Sequence, residues 1–461
     1  MWRLSLSHFP SALFEGAAIL AVFSIPFGTR SFFGSVTPGF DEYESFFLYT
    51  SDIAVLLFLA LLTIKDRAWL PRILGVLPKA VTLGAALMLL GAALSVFFAP
   101  SLPLAIYAFA RLALGLFFAA GLAAAISQRH VPPPFLLGAL AVSGVFQALL
   151  AFLQFRAQGS IGLSLLGEPL LGPRIGGAAK IIVEGGALLR GYGTLPHPNV
   201  LAAVLIVALL ALSYFWLRRP GIRKMWQGGA PLWSDVLLGI ALFVVAIGLA
   251  LTFSRSGWLA ACAATALLVF GAFLMKEFRI QAARLFFLLL TIFYLLSVSM
   301  GWAIFPRATL TREEPAVAYR LRYNDLGLEL VKRNPLGVGI GNQVLHAVAR
   351  GTYLEFGMRE RWQWQPIHNI YLLVATEVGL LGALGFIVML GAVLWHGILR
   401  FLRRGAERLP IVVALTALAA LLALGFADHY LWTLQSGRLL LWSVLGILLG
   451  LISPHSSTDR A

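Results

Sequence analysis

Apolar runs of membrane-spanning length follow one another almost from end to end of this chain, and their repetition decides its fold class. A helical run of roughly 20 apolar residues is what crosses the hydrocarbon core of a bilayer. Such runs lie near 10–28, 47–64, 80–98, 103–126, 134–154, 198–217, 233–252, 256–275, 284–304, 370–399, 409–427 and 438–452. They predict an all-α polytopic integral membrane protein with about 12 transmembrane helices and two sizeable outer segments. Hydrophobic residues make up 60% of the 461 and charged residues only 12%, too little polar surface for a soluble globule. The excess of 35 Lys and Arg over 20 Asp and Glu is then a topology signal beside membrane ends, and no nucleic acid partner is expected. The single cysteine, Cys262, excludes an internal disulfide and a cysteine zinc site.

Cations cluster in alternate short loops: Lys65, Arg67, Arg72 and Lys79; then Arg218, Arg219, Arg223 and Lys224; then Lys276, Arg279 and Arg284; then Arg400, Arg403, Arg404 and Arg408. Short loops rich in Lys and Arg stay in the cytoplasm, which puts both termini inside and Asp41, Glu42 and Glu44 outside. No small-residue cleavage site follows the first run before Thr29 and Arg30, so it is read as retained. The chain divides into transmembrane helices 1–5 (1–154), an outer loop with a β-hairpin (155–198), helices 6–9 (199–304), a large outer loop with short helices (305–369), helices 10–12 (370–452) and a cytoplasmic tail (453–461).

Within the first outer loop, Ala178 to Val183 and Ala187 to Tyr192 flank Glu184-Gly185-Gly186, the pattern of a short hairpin. In the second, Tyr319 to Arg333 has helical character and is closed by Asn334-Pro335, followed by Gly337, Gly339 and Gly341. This second loop holds nine basic against six acidic residues on the side that disfavours cations. Long loops translocate regardless of charge, which accounts for the loop as a whole but for few of its individual arginines.

Four polar features sit at outer membrane edges. His368-Asn369 is followed after nine residues by Gly379 and then Gly382, with Glu377 in the same helix. A histidine there can cap its helix or act as a general base near neutral pH, while glycines three apart let another helix approach. His197-Pro198-Asn199 opens the sixth span, where Pro198 and Asn199 suit a helix start and His197 is undecided. Arg255, in the tight turn Thr252-Phe253-Ser254-Arg255-Ser256-Gly257, either snorkels to headgroups or grips a lipid-linked phosphate with its planar donors. Arg320, with Arg322 as its near neighbour, is a further cation candidate.

Other features carry less. Gly337-Val338-Gly339-Ile340-Gly341 lacks the strand and lysine of a phosphate-binding loop and is not an ATP site. No D-x-D pair occurs, and Asp41, Glu42 and Glu44 are read as a solvated acidic loop ahead of a divalent-ion site. Arg111 and Glu15 lie inside spans and are expected to face the bundle interior. Asp428 and His429, with Arg438, form a minor accessory cluster near the last outer turn.

Taken together, the motifs resemble the O-antigen ligase superfamily of bacterial membrane glycosyltransferases, which includes O-antigen polymerases and some protein-glycosylating oligosaccharyltransferases. The resemblance rests on the run from Arg190-Gly191-Tyr192-Gly193 to His197-Pro198-Asn199, on Ser254-Arg255-Ser256-Gly257, on Arg320 leading to Asn334-Pro335-Leu336-Gly337-Val338-Gly339, and on His368-Asn369 with Gly379 and Gly382. It implies transfer of a glycan from an undecaprenyl-diphosphate carrier to a lipid A core or growing polysaccharide acceptor, at the outer face of the cytoplasmic membrane. No cofactor, metal or nucleotide sugar is implied. His368 would take the acceptor proton; Arg255 and Arg320, then Arg190, would contact the diphosphate, with His197, Asn199, Asn369 and Arg322 as accessories. A surface-polysaccharide polymerase is the alternative. A polytopic transporter stays open as a different class, although a transporter is expected to place its ionisable groups near the bilayer midplane.

Overall fold

The computed structural model of the chain describes residues 11–38, 41–183, 186–219, 232–308, 315–403 and 407–454. Arg223, Lys224, Arg312, Arg404, the Glu184-Gly185 turn and the tail from His455 lie outside the described residues. The chain begins with α1 (Ser11–Phe23), the strands β1 (Arg30–Ser35) and β2 (Ser45–Tyr49), α2 (Thr50–Lys65) and α3 (Trp69–Val76). Long helices follow: α4 (Lys79–Ser95), α5 (Leu102–Ser127) and α6 (Pro133–Ala157). After the strands β3 (Lys180–Val183) and β4 (Gly186–Leu189) come α7 (Pro198–Leu217), α8 (Leu232–Leu251), α9 (Arg255–Phe273) and α10 (Arg279–Ala308). The shorter α11 (Pro315–Arg333), α12 (Gln343–Ala349) and α13 (Thr352–Glu355) lead to α14 (Ile370–Leu402), α15 (Arg408–Gly425), α16 (Tyr430–Thr433) and α17 (Gln435–Ile452).

Among the described residues ten helices are long and apolar enough to cross a membrane, which makes this a predominantly helical, multi-pass membrane protein. The runs expected near 10–28 and 47–64 fold as helices of 13 and 16 residues. The second starts late because Ser45–Tyr49 pairs antiparallel with Arg30–Ser35 instead of extending the helix. Hydropathy alone does not separate a short apolar strand from a helix, and the aromatic sequence Phe46-Phe47-Leu48-Tyr49 suits a strand. Asp52 marks the switch to helix by accepting from the Tyr49 N–H at 2.8 Å.

Helix α7 is buried along nearly its whole length and packs against α6, α8, α9 and α15, so it forms the centre of the bundle. α4 and α14 make the most extensive helix pair. Gly84 and Gly91 on α4 face Gly385 and Gly382 on α14, and a Cβ on Gly91 would stand 2.5 Å from the Gly382 nitrogen. The two backbones therefore touch, which is how helices associate when lipid offers no hydrophobic drive. Buried charge is paired inside the bundle: Arg111 meets Asp52, the Phe47 carbonyl and, at 2.8 Å, the Tyr107 hydroxyl.

Connections gather at two opposite ends. At one, Asp235 binds Arg219 at 2.6 Å and Arg284 at 3.2 Å, joining α7, α8 and α10 among the basic loops. At the other, the segments before α7, before α9, before α14 and before α17 line one cavity together with α11.

Candidate active site

That cavity has a volume of about 680 Å³ and receives Arg190, His197, Asn199, Arg255, Arg320, His368, Asp428 and His429. Each side chain reaches it through a local feature of the sequence.

The segment carrying Arg190 and His197 is held by α6. Gln154 accepts from the Tyr192 and Gly193 N–H groups at 3.2 and 2.8 Å and donates to the Gly193 carbonyl at 2.7 Å. One face two turns away, Gln147 accepts from Thr194 N at 2.8 Å. Gly193 has φ +63°, and a Cβ there would lie 2.2 Å from Gln147 Oε1, so only glycine lets the chain pass. The segment ends at His197, which caps α7: its Nδ1 accepts from the Asn199 N–H at 3.1 Å. Because that nitrogen accepts, neutral His197 carries its proton on Nε2.

Asn199 does more than start a helix. Its side-chain oxygen accepts from Arg190 Nη2 at 3.0 Å, and its amide donates to Asp428 Oδ2 at 2.8 Å. Arg190 also donates from Nε to the Thr252 carbonyl at 2.6 Å, tying the run before α7 to the turn before α9. In that turn Phe253 is fully buried with φ +47°, a conformation costly for an aromatic residue. Ser254 then caps α9, accepting from Gly257 N at 3.3 Å, and Arg255 stands in the first turn. A guanidinium at a helix N-terminus adds its charge to the unpaired amides and dipole there, which favours an anion.

Arg320 and Tyr323 come from successive turns of α11. Arg320 Nε donates to the Ala427 carbonyl at 2.9 Å, and Tyr323 stacks on the His368 ring at 4.7 Å with a 12° interplanar angle. Arg322 points elsewhere: it is exposed, lies over the Tyr319 ring and does not line the cavity. Asn369 is the cap of α14, accepting from Tyr371 N at 3.0 Å, and also lies outside the cavity lining.

His368 has its Nδ1 2.9 Å from the Pro366 carbonyl. A carbonyl only accepts, so this nitrogen is the protonated one and Nε2 holds the lone pair. The His429 ring meets His368 edge-on at 4.8 Å. Burial lowers the pKa of His368, with Arg320 adding repulsion and Asp428 opposing it; burial likewise takes His197 and His429 down to about 3. Burial works against ionised Asp428, but the three histidines and the Asn199 amide outweigh it and hold its carboxyl below the usual range.

The accessory cluster at 428–438 divides. Asp428 and His429 line the main cavity, whereas Arg438 bonds Gln435 at 3.2 Å and lines a separate small cavity. Glu377 faces that second cavity too, accepting from Trp432 Nε1 at 2.7 Å and Gly341 N at 2.9 Å, which pins the glycine loop to α14. The acidic first outer loop is not freely solvated. Glu42 grips Arg30 bidentately and Glu44 is buried against Thr37, because the β1–β2 hairpin folds the loop back on itself. Tyr43, Tyr323 and Trp362 line the main cavity and gave no sequence signal beyond being aromatic. For Asp428 and His429 the signal was an Asp-His pair in a short turn between spans.

Comparison with known proteins bears on the same segment. The family model described as Wzy_C, O-Antigen ligase, matches residues 240–387, a stretch that contains Arg255, Arg320, His368 and Gly379. Comparison with curated proteins gives no match.

Proposed function

From a chain whose residues 240–387 match the O-antigen ligase family, within the O-antigen ligase and polymerase superfamily, we propose that this membrane protein transfers a glycan from undecaprenyl diphosphate to a lipid A core or similar surface acceptor. The observation that carries the reading is the placing of a His368 with its lone pair on Nε2 in one cavity with Arg190, Arg255 and Arg320. We read the two shorter apolar helices as spans as well, giving twelve, with both termini cytoplasmic and the cavity on the outer face of the bacterial cytoplasmic membrane.

The acceptor hydroxyl attacks the anomeric carbon and its proton passes to His368 Nε2. The bond from that carbon to the diphosphate oxygen breaks, and the electron pair leaves with the diphosphate. A diphosphate departs without protonation, so the leaving side needs fixed positive charge instead of an acid. Arg190, Arg255 and Arg320 meet that need, and His197, protonated on Nε2, adds a neutral donor. Asp428 is a positioning residue: its carboxylate steadies the imidazolium that forms on His368. With the arginines supplying the charge a divalent ion supplies elsewhere, transfer is expected to continue in EDTA.

The test is reconstitution of the purified chain with undecaprenyl-diphosphate-linked glycan, with and without lipid A core, followed on gels. One acceptor-dependent product that His368→Ala abolishes is expected. A ladder on the carrier without acceptor would make the growing polysaccharide the acceptor and the protein a polymerase. Absence of product with every donor would overturn the reading and return the transporter.

A further inference from the structure

Two side chains of the proposed transfer chemistry, His368 and Asp428, stand with His429 in a donor set that proton transfer alone does not account for. The ligating atoms of His368, Asp428 and His429 lie within 4.8 Å of one another. Two imidazoles and one carboxylate facing an open cavity are a set that suits borderline divalent transition ions such as zinc. Their outer contacts match as well. His368 Nδ1 donates to the Pro366 carbonyl at 2.9 Å. The Thr433 hydroxyl lies 2.7 Å from His429 Nδ1 and within 3.3 Å of the His429 carbonyl; donating to that carbonyl frees its oxygen to accept from Nδ1 in the tautomer that a metal on Nε2 selects. Each ring therefore has an oxygen beside its Nδ1 that leaves Nε2 to act as the ligand, the arrangement that orients histidines on metals. Asp428 is steadied in turn by the Asn199 amide at 2.8 Å and by the His429 N–H at 2.8 Å. Asp428 and His429 are both buried, which shields the set from competing solvent on one side. A tetrahedral zinc ion with bonds of ~2.0–2.1 Å spaces its ligands ~3.3 Å apart, and small rotations of the two rings about their side-chain bonds would close the gap.

We propose that His368, Asp428 and His429 form a binding site for a divalent transition-metal ion of the zinc class, and that its occupancy switches transfer off. The switch rests on the proposed role of His368: the ion takes the Nε2 lone pair that would receive the acceptor proton, so metal and acceptor chemistry exclude each other. The cavity of about 680 Å³ that the three residues line gives the ion its path and leaves room for water at the remaining coordination positions.

Binding and inhibition can be measured separately on the full chain, purified without a histidine tag. Co²⁺ serves as the probe for binding through its ligand-field absorption, and Zn²⁺ as the competitor. One Co²⁺ per chain, displaced by Zn²⁺, is expected. Asp428→Asn and His429→Gln should each abolish the bands, Thr433→Val should weaken affinity by about 10-fold through loss of its outer contact, and His346→Gln, which belongs neither to the cluster nor to the cavity lining, should change nothing. In the transfer assay Zn²⁺ should stop turnover over the range in which it displaces Co²⁺, and EDTA should restore it. Failure to bind stoichiometrically, or equal binding by wild type and the Thr433→Val and His429→Gln variants, overturns the site. Full transfer with Zn²⁺ bound overturns the switch. Normal Co²⁺ binding by a protein that transfers no glycan, even in EDTA, supports the site and sinks the transferase reading instead.

Discussion

Two histidines of one cavity carry their protons on opposite nitrogens, and this divides their work. His197 accepts at Nδ1 from Asn199 and offers a donor; His368 donates from Nδ1 to Pro366 and offers an acceptor. Replacing His368 by Ala should lower kcat by about 10²–10⁴-fold, the scale of a lost general base, with less change in KM, as read from initial rates on defined donor. The arginines separate equally clearly. Arg320→Ala should reduce transfer by roughly 10²–10³-fold, comparable to losing one preorganised charge stabiliser. Arg322→Ala should leave it nearly unchanged, because Arg322 lies over Tyr319 on the exposed face of α11. Equal losses in the two variants would disprove the assignment. Arg320 and Arg322, two residues apart on one helix, are chemically equivalent as sequence; only the helical phase, about 100° per residue, sends one to the Ala427 carbonyl and the other to solvent.

At the scale of elements, the break in α14 explains a glycine pattern that resembled a phosphate loop only superficially. Gly379 has φ +71°, and the helix opens there. The loop after α11 fills the opening: Val338 N donates to Thr376 O at 2.9 Å, Gly339 N to Glu377 O at 3.2 Å, and Leu380 N donates back to Pro335 O at 2.9 Å. Carbonyls freed inside a membrane helix must find donors, and the loop amides supply them. The two motifs that the sequence presents 40 residues apart are thus two halves of one structure, which fixes α11, and with it Arg320 and Tyr323, against the start of α14. Beyond the break, Gly382 touches Gly91. Gly91→Leu, whose Cβ would stand 2.5 Å from the Gly382 nitrogen, should drive α4 and α14 apart at a cost of about 1–3 kcal/mol, seen as a lowered Tm in detergent. Gln154→Leu should leave the Tyr192 and Gly193 amides without their acceptor, at about 1–3 kcal/mol per group. Transfer should fall with Tm there, since the same segment carries Arg190.

Across the whole molecule, the connections sort into a basic end and a cavity end, and the orientation proposed above has the first facing the cytoplasm. In a chain with Cys262→Ser, a cysteine at Leu170, which is 80% exposed at the cavity end, should react with an impermeant maleimide added to spheroplasts. One at Arg403 should react only after lysis. The reverse pattern would invert the protein and place its cavity on the wrong side for an outer-face transferase.

Hydropathy determined by itself that the chain is a multi-pass helical membrane protein, because about 20 apolar residues in a row have one stable state in a bilayer. His368, Arg255 and Arg320 were legible as candidates because charge and imidazole at membrane edges stand out against an apolar background, whereas Arg190 became one only through the family resemblance. Tertiary structure alone decided the rest. Asp428 lies 229 residues from Asn199 in sequence, and nothing local reports that the turn before α16 brings its carboxylate within hydrogen-bonding distance of the side chain that opens α7. The strand at Ser45–Tyr49 was hidden for a related reason: an apolar aromatic run is compatible with helix or strand, and its pairing with Arg30–Ser35 chose between them. Local sequence fixes what a segment tolerates; which polar groups share a cavity follows from the packing of helices distant in the chain.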